Sequence, residues 1–440
     1  MFCTAAIAPR GQDTVNTDRD FGLWGATAEP APPIDVLDGD TTTDVLIIGA
    51  GYTGLSTALH LAQRNIPSLV IDAHHPGFGA SGRNGGQVLP GFKTYPDHLV
   101  ATYGKTRGIA MAEFGAGIAD ELFALIESHA IVCAARQSGW IHAGHHVGKL
   151  SEQRWKHDQW AARGADVAWL EQGEISQLLG TSAYAGGWLD RRAGVVQPLS
   201  YARGLARAAQ QLGARICSQT PATSLKPVAD GWQITTPCGV IRAAQVVIAT
   251  NGYTGNLLPK LAGTVVSVES AQIATQVLSD DQLCTIMPTI GCVSDTRRSL
   301  LYFRLSPDGR FVMGGRGGIA LPTSTGNYDR LKREALALYP SLANVEWTNQ
   351  WAGKLAVTLD HMPHLHEPAP GLIASLGCNG RGVAYSTAIG RVIAMRLAGC
   401  DLEAVPMPIT QITPMPLAAF RKIGAASVAA WFGLRDKWSL

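Results

Sequence analysis

Six consecutive residues, Gly49-Ala50-Gly51-Tyr52-Thr53-Gly54, form a G-x-G-x-x-G turn, and an acid, Asp72, follows about twenty residues later. This spacing suits the binding of a dinucleotide. The first glycine permits a tight turn, the second lets a pyrophosphate approach the backbone, and the third allows close helix–sheet packing. The helix that follows would supply amide donors at its N-terminus, a natural anion site, with Tyr52 and Thr53 in the turn before it. Asp72, with Ala73 behind it, would accept hydrogen bonds from ribose hydroxyls.

Two further glycine-rich runs bear on which dinucleotide. The first is Gly77-Phe78-Gly79-Ala80-Ser81-Gly82-Arg83-Asn84-Gly85-Gly86-Gln87. So many small residues let backbone amides crowd a large polar ligand; Arg83 could pair with a phosphate and Ser81 could donate to one. The competing reading is a flexible surface loop. The second run, Gly377-Cys378-Asn379-Gly380-Arg381-Gly382-Val383, lies near the far end of the chain. A cofactor with two ends to hold, isoalloxazine and adenine, accounts for two such sites better than a nicotinamide dinucleotide. A plain helix start is the alternative.

The elements that position these runs follow from local pattern. Residues 44–48 are an apolar run suited to a buried parallel strand, 55–64 read as a helix, and 68–71 as a second strand. Residues 96–128 are helical, with Gly104, Gly108, Gly115 and Gly117 weakening continuity. Residues 198–212 form a helix with proline at its start and Gly213 at its end. Residues 232–236 and 240–242 form a hairpin, 246–249 a separate buried strand, and 300–305 with 310–313 a second hairpin. A strand at 371–376 and a helix at 385–397 complete the pattern. Parallel-type strands thus fall in three separated blocks with antiparallel material between them, which implies two domains of discontinuous segments.

Composition limits the function classes. Of 440 residues, 46% are hydrophobic and 16% charged, as in a well-buried enzyme. The net charge of +2 and the lack of a basic tract argue against nucleic-acid binding. The eight cysteines contain no C-x-x-C pair, so the pattern predicts no metal site and no disulfide framework, but reduced thiols in a cytoplasmic protein. The start of the chain does not read as a secretory signal. No stretch reaches the roughly 18 apolar residues of a membrane span. Residues 423–434 are uncharged and flanked by Arg421, Lys422 and Arg435; they read as a buried helix, or as an interfacial one in peripheral contact with the inner face of the membrane.

These pieces together resemble the D-amino-acid-oxidase-like family of FAD oxidoreductases, and within it the branch of gamma-glutamylputrescine oxidoreductase and L-pipecolate oxidase. The resemblance runs from Leu23-Trp24 to Trp431-Phe432-Gly433, and rests most on residues 79–87, Ala249-Thr250-Asn251-Gly252-Tyr253, Gly314-Gly315-Arg316 and residues 377–385. It implies an α/β (α+β overall) fold in which a Rossmann-like FAD-binding domain is interleaved with a substrate domain on a mainly antiparallel sheet. The expected division is an extension at 1–40, an FAD domain at 41–92, 196–260 and 355–415, a substrate domain at 93–195 and 261–354, and a C-terminal helix at 416–440. It further implies that Gly49, Gly51 and Gly54 hold the pyrophosphate and Asp72 the ribose. Ser81, Gly82, Arg83, Asn84, Gly85, Gly86 and Gln87 would run beside the ribityl chain and flavin. Ala222 would contact adenine, and Thr250, Asn251 and Gly252 would close over the adenosine side. Gly380, Arg381, Gly382 and Val383 would face the pyrimidine end of the ring. Some relatives attach FAD through a histidine or cysteine; Asn84 stands at the former position, so non-covalent FAD is expected.

The chemistry implied is hydride transfer from the carbon beside an amine nitrogen, which needs orientation and a dry pocket more than acid–base groups. Tyr302 and Arg304 share one face of a strand and could bind a substrate carboxylate, or form an exposed edge pair. Arg316 is a further candidate, or an ion-pair partner within its domain. Lys354 could assist oxygen reduction near the flavin, or be a solvated lysine. The expected partners are a small amine and an acceptor, O2 or a quinone. A D-amino-acid dehydrogenase feeding a quinone and a non-catalytic flavin-binding assembly protein are the alternatives; a flavin monooxygenase would carry Gly-Asp where this chain has Cys378-Asn379.

Overall fold

The computed structural model describes residues 21–319 and 323–416. The expected N-terminal extension lies outside the described residues over 1–20, as does nearly all of the expected C-terminal helix, from 417 on.

Strand Thr41–Ile48 shows how sequence becomes layer. Its apolar end does not alternate with polar residues because both faces are covered. Val45 and Ile47 join a core with helices Tyr52–Ala62, Pro198–Gln211 and Gly382–Leu397, while Leu46 and Ile48 join another with Trp232, Ile234 and Ile241 of a hairpin. Around it grows a sheet of ten strands. Its parallel part runs Asp35–Val36, Arg215–Ser218, Ser68–Ile71, Thr41–Ile48, Gly239–Ile248 and Leu372–Leu376. The parallel strands therefore do come from three separated blocks of chain.

A second sheet of eight strands takes its strands from 140–190 and 266–357. All its pairings are antiparallel except that of Cys292–Asp295 with Trp140–Gly144. Here alternation is clean. Ile141, Ala143, Ala271, Ile273, Val293, Leu301 and Phe303 enter one core with helix Thr325–Leu338. Their neighbours Trp140, His142, Ser270, Ser294 and Tyr302 point to the other face and line a cavity. The sheet is thus a wall with one dry side and one functional side.

Several expectations shift. Residues 240–242 and 246–249 belong to one strand, Gly239–Ile248, which pairs with its hairpin partner at one end and with parallel neighbours along its length. The 96–128 helix breaks at Gly104, whose φ of 77° leaves the helical region, and only there. Gly108 and Gly115 stay inside helix Lys105–Ser128, where added Cβ atoms would press on the Val100 backbone and on Phe92. Helices begin at Tyr52 and Gly382, three residues earlier than the patterns at 55 and 385 predict, so each glycine run feeds directly into a first helical turn. Strand Trp347–Val357 continues past 354 in the antiparallel sheet. Among the described residues no helix is long and apolar enough to cross a membrane.

Candidate active site

Two cavities meet at Tyr52, Ala80, Ser81, Asn251 and Ser386, which line both. One, of about 550 Å³, holds the first glycine turn; the other, of about 440 Å³, lies between the 80–86 segment, the antiparallel sheet and the start of helix Gly382–Leu397. Together they make a groove with two chambers.

In the first chamber Gly49, Gly51, Tyr52, Thr53, Asp72, Ala73, Ala222, Thr250 and Asn251 come together as expected from sequence. Gly49 has a φ of 111°, and a Cβ there would lie 2.9 Å from the Ala249 carbonyl oxygen. Gly54 points away from the chamber; its missing Cβ lets the helix sit on the Gly49 carbonyl. Asp72 accepts from the amides of Ala50 and His74, each at 2.8 Å, which aims the carboxylate along the turn. Burial raises its pKa against the pull of those amides. Ser81 Oγ accepts from the Tyr52 amide at 3.0 Å, which leaves its own hydrogen for a ligand.

The 80–86 segment has few backbone partners of its own, and side chains supply them. The Arg83 carbonyl accepts from Gln272 Nε2 and from Trp351 Nε1, the latter at 3.1 Å. The Asn84 carbonyl accepts from Trp24 Nε1 at 2.8 Å. Asn84 Nδ2 donates to Ser81 O at 2.8 Å and to Tyr52 Oη at 3.1 Å, while its Oδ1 accepts the Gly86 amide at 2.7 Å. Arg83 lies with its guanidinium carbon 4.4 Å from the ring centroids of both Phe21 and Phe78. Gly82 and Gly86 pack inward and do not line either chamber.

Arg304 corrects one expectation. It is fully buried, and Nη1 donates to the carbonyls of Val196 at 2.7 Å and Gly86 at 3.2 Å. Burial lowers its pKa to about 10. It shares Tyr302's face, but further along the strand, where the 80–86 segment covers it; it is absent from the cavity wall and ties the antiparallel sheet to Gly86 and Val196. Tyr302 does line the chamber, its ring against Gly85 and its hydroxyl 2.7 Å from Ser270 Oγ. Arg316 lines it too. Lys354 is a second correction: it is exposed, with Nζ 6.0 Å from the Tyr253 ring centroid, and lines neither chamber because its neighbours Gly353 and Leu355 take the inward positions. Gly252 packs beneath the same strand.

The C-terminal glycine run closes the second chamber. Gly380, Arg381, Gly382 and Val383 all line it. Asn251 Oδ1 accepts from the Gly377 amide at 3.0 Å, so the adenosine-side loop and the distant run are held in one frame. Asn251 and Asn379 adopt left-handed φ of 41° and 51°, a region asparagine tolerates better than most residues.

Sequence reasoning missed the far wall of this chamber: Lys93, Tyr95, Trp140, His142 and Lys156. The signal was the alternation in Trp140-Ile141-His142-Ala143, in which polar and aromatic residues mark one face. His142 stacks on Trp140 with centroids 5.0 Å apart. Burial, then Lys156, Arg381 and Lys93, hold its pKa well below the ordinary value, so the imidazole is neutral. Lys93 lines the cavity and keeps an exposed surface. Burial first, then Arg381, Lys156 and Arg316, push its pKa down to about 8.

One chamber with a helix start, an acid and crowded glycines, joined to another beside a second helix start, fits a cofactor with a nucleotide at one end and a flavin ring at the other. The DAO family model, described as FAD dependent oxidoreductase, matches residues 44–396. The chain is 30% identical over 421 residues to a probable oxidoreductase, OrdL, of Rhizobium meliloti (strain 1021), covering 95% of this chain and 98% of that protein. It is 29% identical over 437 residues to gamma-glutamylputrescine oxidoreductase of Escherichia coli (strain K12), covering 96% and 99%. Glycine oxidase from Geobacillus kaustophilus shares the fold, with a TM-score of 0.70 at 21% identity over 85% of this chain and 99% of that one.

Two outcomes follow from the geometry. Asp72→Ala removes hydrogen bonds to a charged group, worth about 1.5–3 kcal/mol, so FAD retention should weaken roughly ten- to a hundredfold. The flavin-to-protein absorbance ratio after dialysis reads this; an unchanged ratio would contradict the role. Arg304→Met strands the buried Val196 carbonyl, at about 1–3 kcal/mol, and weakens the bonding of Gly86, so it should lower the thermal midpoint by several degrees. A raised KM with an unchanged midpoint would restore Arg304 as a substrate ligand.

Proposed function

The chain belongs to the DAO family of FAD-dependent oxidoreductases, and on that premise we propose that it oxidises a C–N bond in an amine or amino acid. FAD, when bound, supplies the acceptor for a hydride from the carbon beside nitrogen, leaving an imine that water hydrolyses to a carbonyl and an amine. The observation that carries the reading is the second chamber, a cavity with aromatic and basic walls that opens directly onto the dinucleotide groove.

The chain's own residues orient the substrate and set its protonation. Tyr302 and Arg316 face the chamber from the antiparallel sheet and suit a carboxylate next to the reacting carbon. His142 Nδ1 has no protein partner among the described residues, and the neutral ring can hold an N–H proton there. An ammonium ion in this chamber would meet Lys93, Lys156 and Arg381, so the neutral amine, which the reaction requires, is the favoured form. The substrate is a gamma-glutamyl amine, a cyclic imino acid or an N-alkyl amino acid. The first has the added support of the similarity to the Escherichia coli gamma-glutamylputrescine oxidoreductase. The acceptor in the second half of the cycle is O2 or a quinone. The FAD-binding part comprises 41–92, 196–260 and 355–415, with substrate contacts from 93–195 and 261–354.

Non-covalent attachment is part of the reading. Asn84, with its amide bonded to Tyr52, Ser81 and Gly86, offers no nucleophile beside the ring. Acid precipitation should therefore release all the yellow colour into the supernatant; colour kept on the pellet would overturn this. The reaction itself is tested by mixing oxidised protein anaerobically with each of the three amine classes. At least one should bleach the flavin, at a rate that rises with pH through an apparent pKa below the roughly 10.4 of a free alkylamine. No bleaching by any of them would sink the proposal.

A further inference from the structure

Among the described residues, the second chamber is lined by eight lysines and arginines but by only two acids, Glu152 and Asp295. Both acids are already engaged. Asp295 is fully buried, ion-paired with Arg297 and bonded to the amides of Arg297 and Leu301. Glu152 lies 2.6 Å from Lys156 and 3.7 Å from Lys149. On the same wall Lys93 makes no hydrogen bond or ion pair with any described residue, and Arg381 donates to the Pro90 carbonyl at 2.7 Å, which carries no charge to balance it. The Arg381 guanidinium carbon lies 5.4 Å from the Trp140 ring centroid, and Lys156 Nζ lies 5.5 Å from that of Tyr95. Lys93, Lys156, Lys149 and Arg381 therefore leave a clear excess of positive charge over Glu152. None of these residues reaches the dinucleotide chamber.

Uncompensated cations crowded in one cavity repel one another and lose part of their hydration, so the fold bears a cost that a methionine at position 93 would avoid. The same field focuses anions into the cavity. One acidic group beside the reacting carbon is already served by Tyr302 and Arg316 from the antiparallel sheet, so it leaves Lys93, Lys156 and Arg381 unexplained. We propose that Lys93 and Arg381, flanked by Lys156, form an anion subsite for a second acidic group of the substrate, a carboxylate remote from the carbon that is oxidised. Of the three amine classes, this selects a cyclic or N-alkyl amino acid with a further acid on its chain; a gamma-glutamyl amine, whose one carboxylate is remote from the oxidised carbon, would use the distal subsite alone. This rests on the amine-oxidation reading, and names its substrate class.

The crowding of Lys93 by Arg381 (from the turn before the C-terminal helix), Lys156 (from helix Leu150–Ala161) and Arg316 (from the antiparallel sheet), beside Tyr95 and His142, adds a pH signature. With the Lys93 pKa near 8, affinity for the distal acid falls as pH rises past that value, because the unliganded protein loses the proton that the anion needs.

The test uses FAD-loaded protein and calorimetry with glutarate, a dicarboxylate with no amine, against butyrate, which has one carboxylate. Glutarate should bind at least tenfold more tightly than butyrate, and its affinity should fall up to tenfold per pH unit above 8. The preference should collapse in Lys93→Met and return in Lys93→Arg, with flavin content confirming folding. Equal binding of the two acids, no glutarate binding, or an unchanged preference in Lys93→Met would overturn the subsite. If Lys93→Met loses its flavin, the pH dependence of the unmutated protein and the retained preference of Lys93→Arg decide the matter. Glutarate selectivity without bleaching by any amine supports the subsite while the oxidation reading fails; bleaching without selectivity fails the subsite alone.

Discussion

Four successive carbonyls, those of residues 83–86, must find donors in a stretch of chain too rich in glycine to form a regular element. Buried carbonyls cannot be left bare. Gln272 and Trp351 cap Arg83, Trp24 caps Asn84, and Arg304 reaches Gly85, Gly86 and Val196, with the Val196 amide also donating to Gly86. Most of these donors come from the antiparallel sheet, so satisfying one segment's backbone also docks that sheet against the segment. The chamber between them exists because this seam is closed by side chains rather than by more strand. The same segment reaches the glycine turn through Asn84 and Tyr52 and through Ser81 and the Tyr52 amide. A single framework therefore fixes the turn, the segment and the cavity wall together.

Charge is distributed across this framework with a purpose that area alone does not reveal. The dinucleotide chamber relies on amides, helix starts and one carboxylate, Asp72, whose ionised form is favoured by its two amide donors and opposed by burial. The second chamber carries side-chain cations that depress one another's protonation and keep His142 neutral. Both features favour an amine in its unprotonated state, and neither requires a proton-transfer triad.

The sequence made the cofactor half of this legible and the substrate half only in part, for physical reasons. Glycine turns are local: Gly49, Gly51 and Asp72 carry their meaning within one βαβ unit, and the structure gathers them with Ala222 and Asn251 about one chamber. Strand alternation correctly paired Tyr302 with Arg304 on a face, but alternation says nothing about what lies opposite each residue. Tyr302 meets an open space, while Arg304 meets the Gly86 and Val196 carbonyls. Lys354 fell to the outer face for the same reason. Lys93 was illegible because its chemistry depends on Arg381 and Lys156, far away in sequence and brought near only by the fold. The earlier helix starts at Tyr52 and Gly382 show glycine used inside a first turn, where close packing outweighs helix propensity.

A crystal structure of the FAD-loaded protein tests the two-chamber account most directly. The account predicts adenosine beside Asp72 and Ala222, pyrophosphate over the helix start at Tyr52, and the ring between Gly85, Tyr302 and the helix start at Gly382, with Arg304 still on the Gly86 and Val196 carbonyls. A ring lying outside that chamber, or an Arg304 released from those carbonyls toward the ligand, would contradict it.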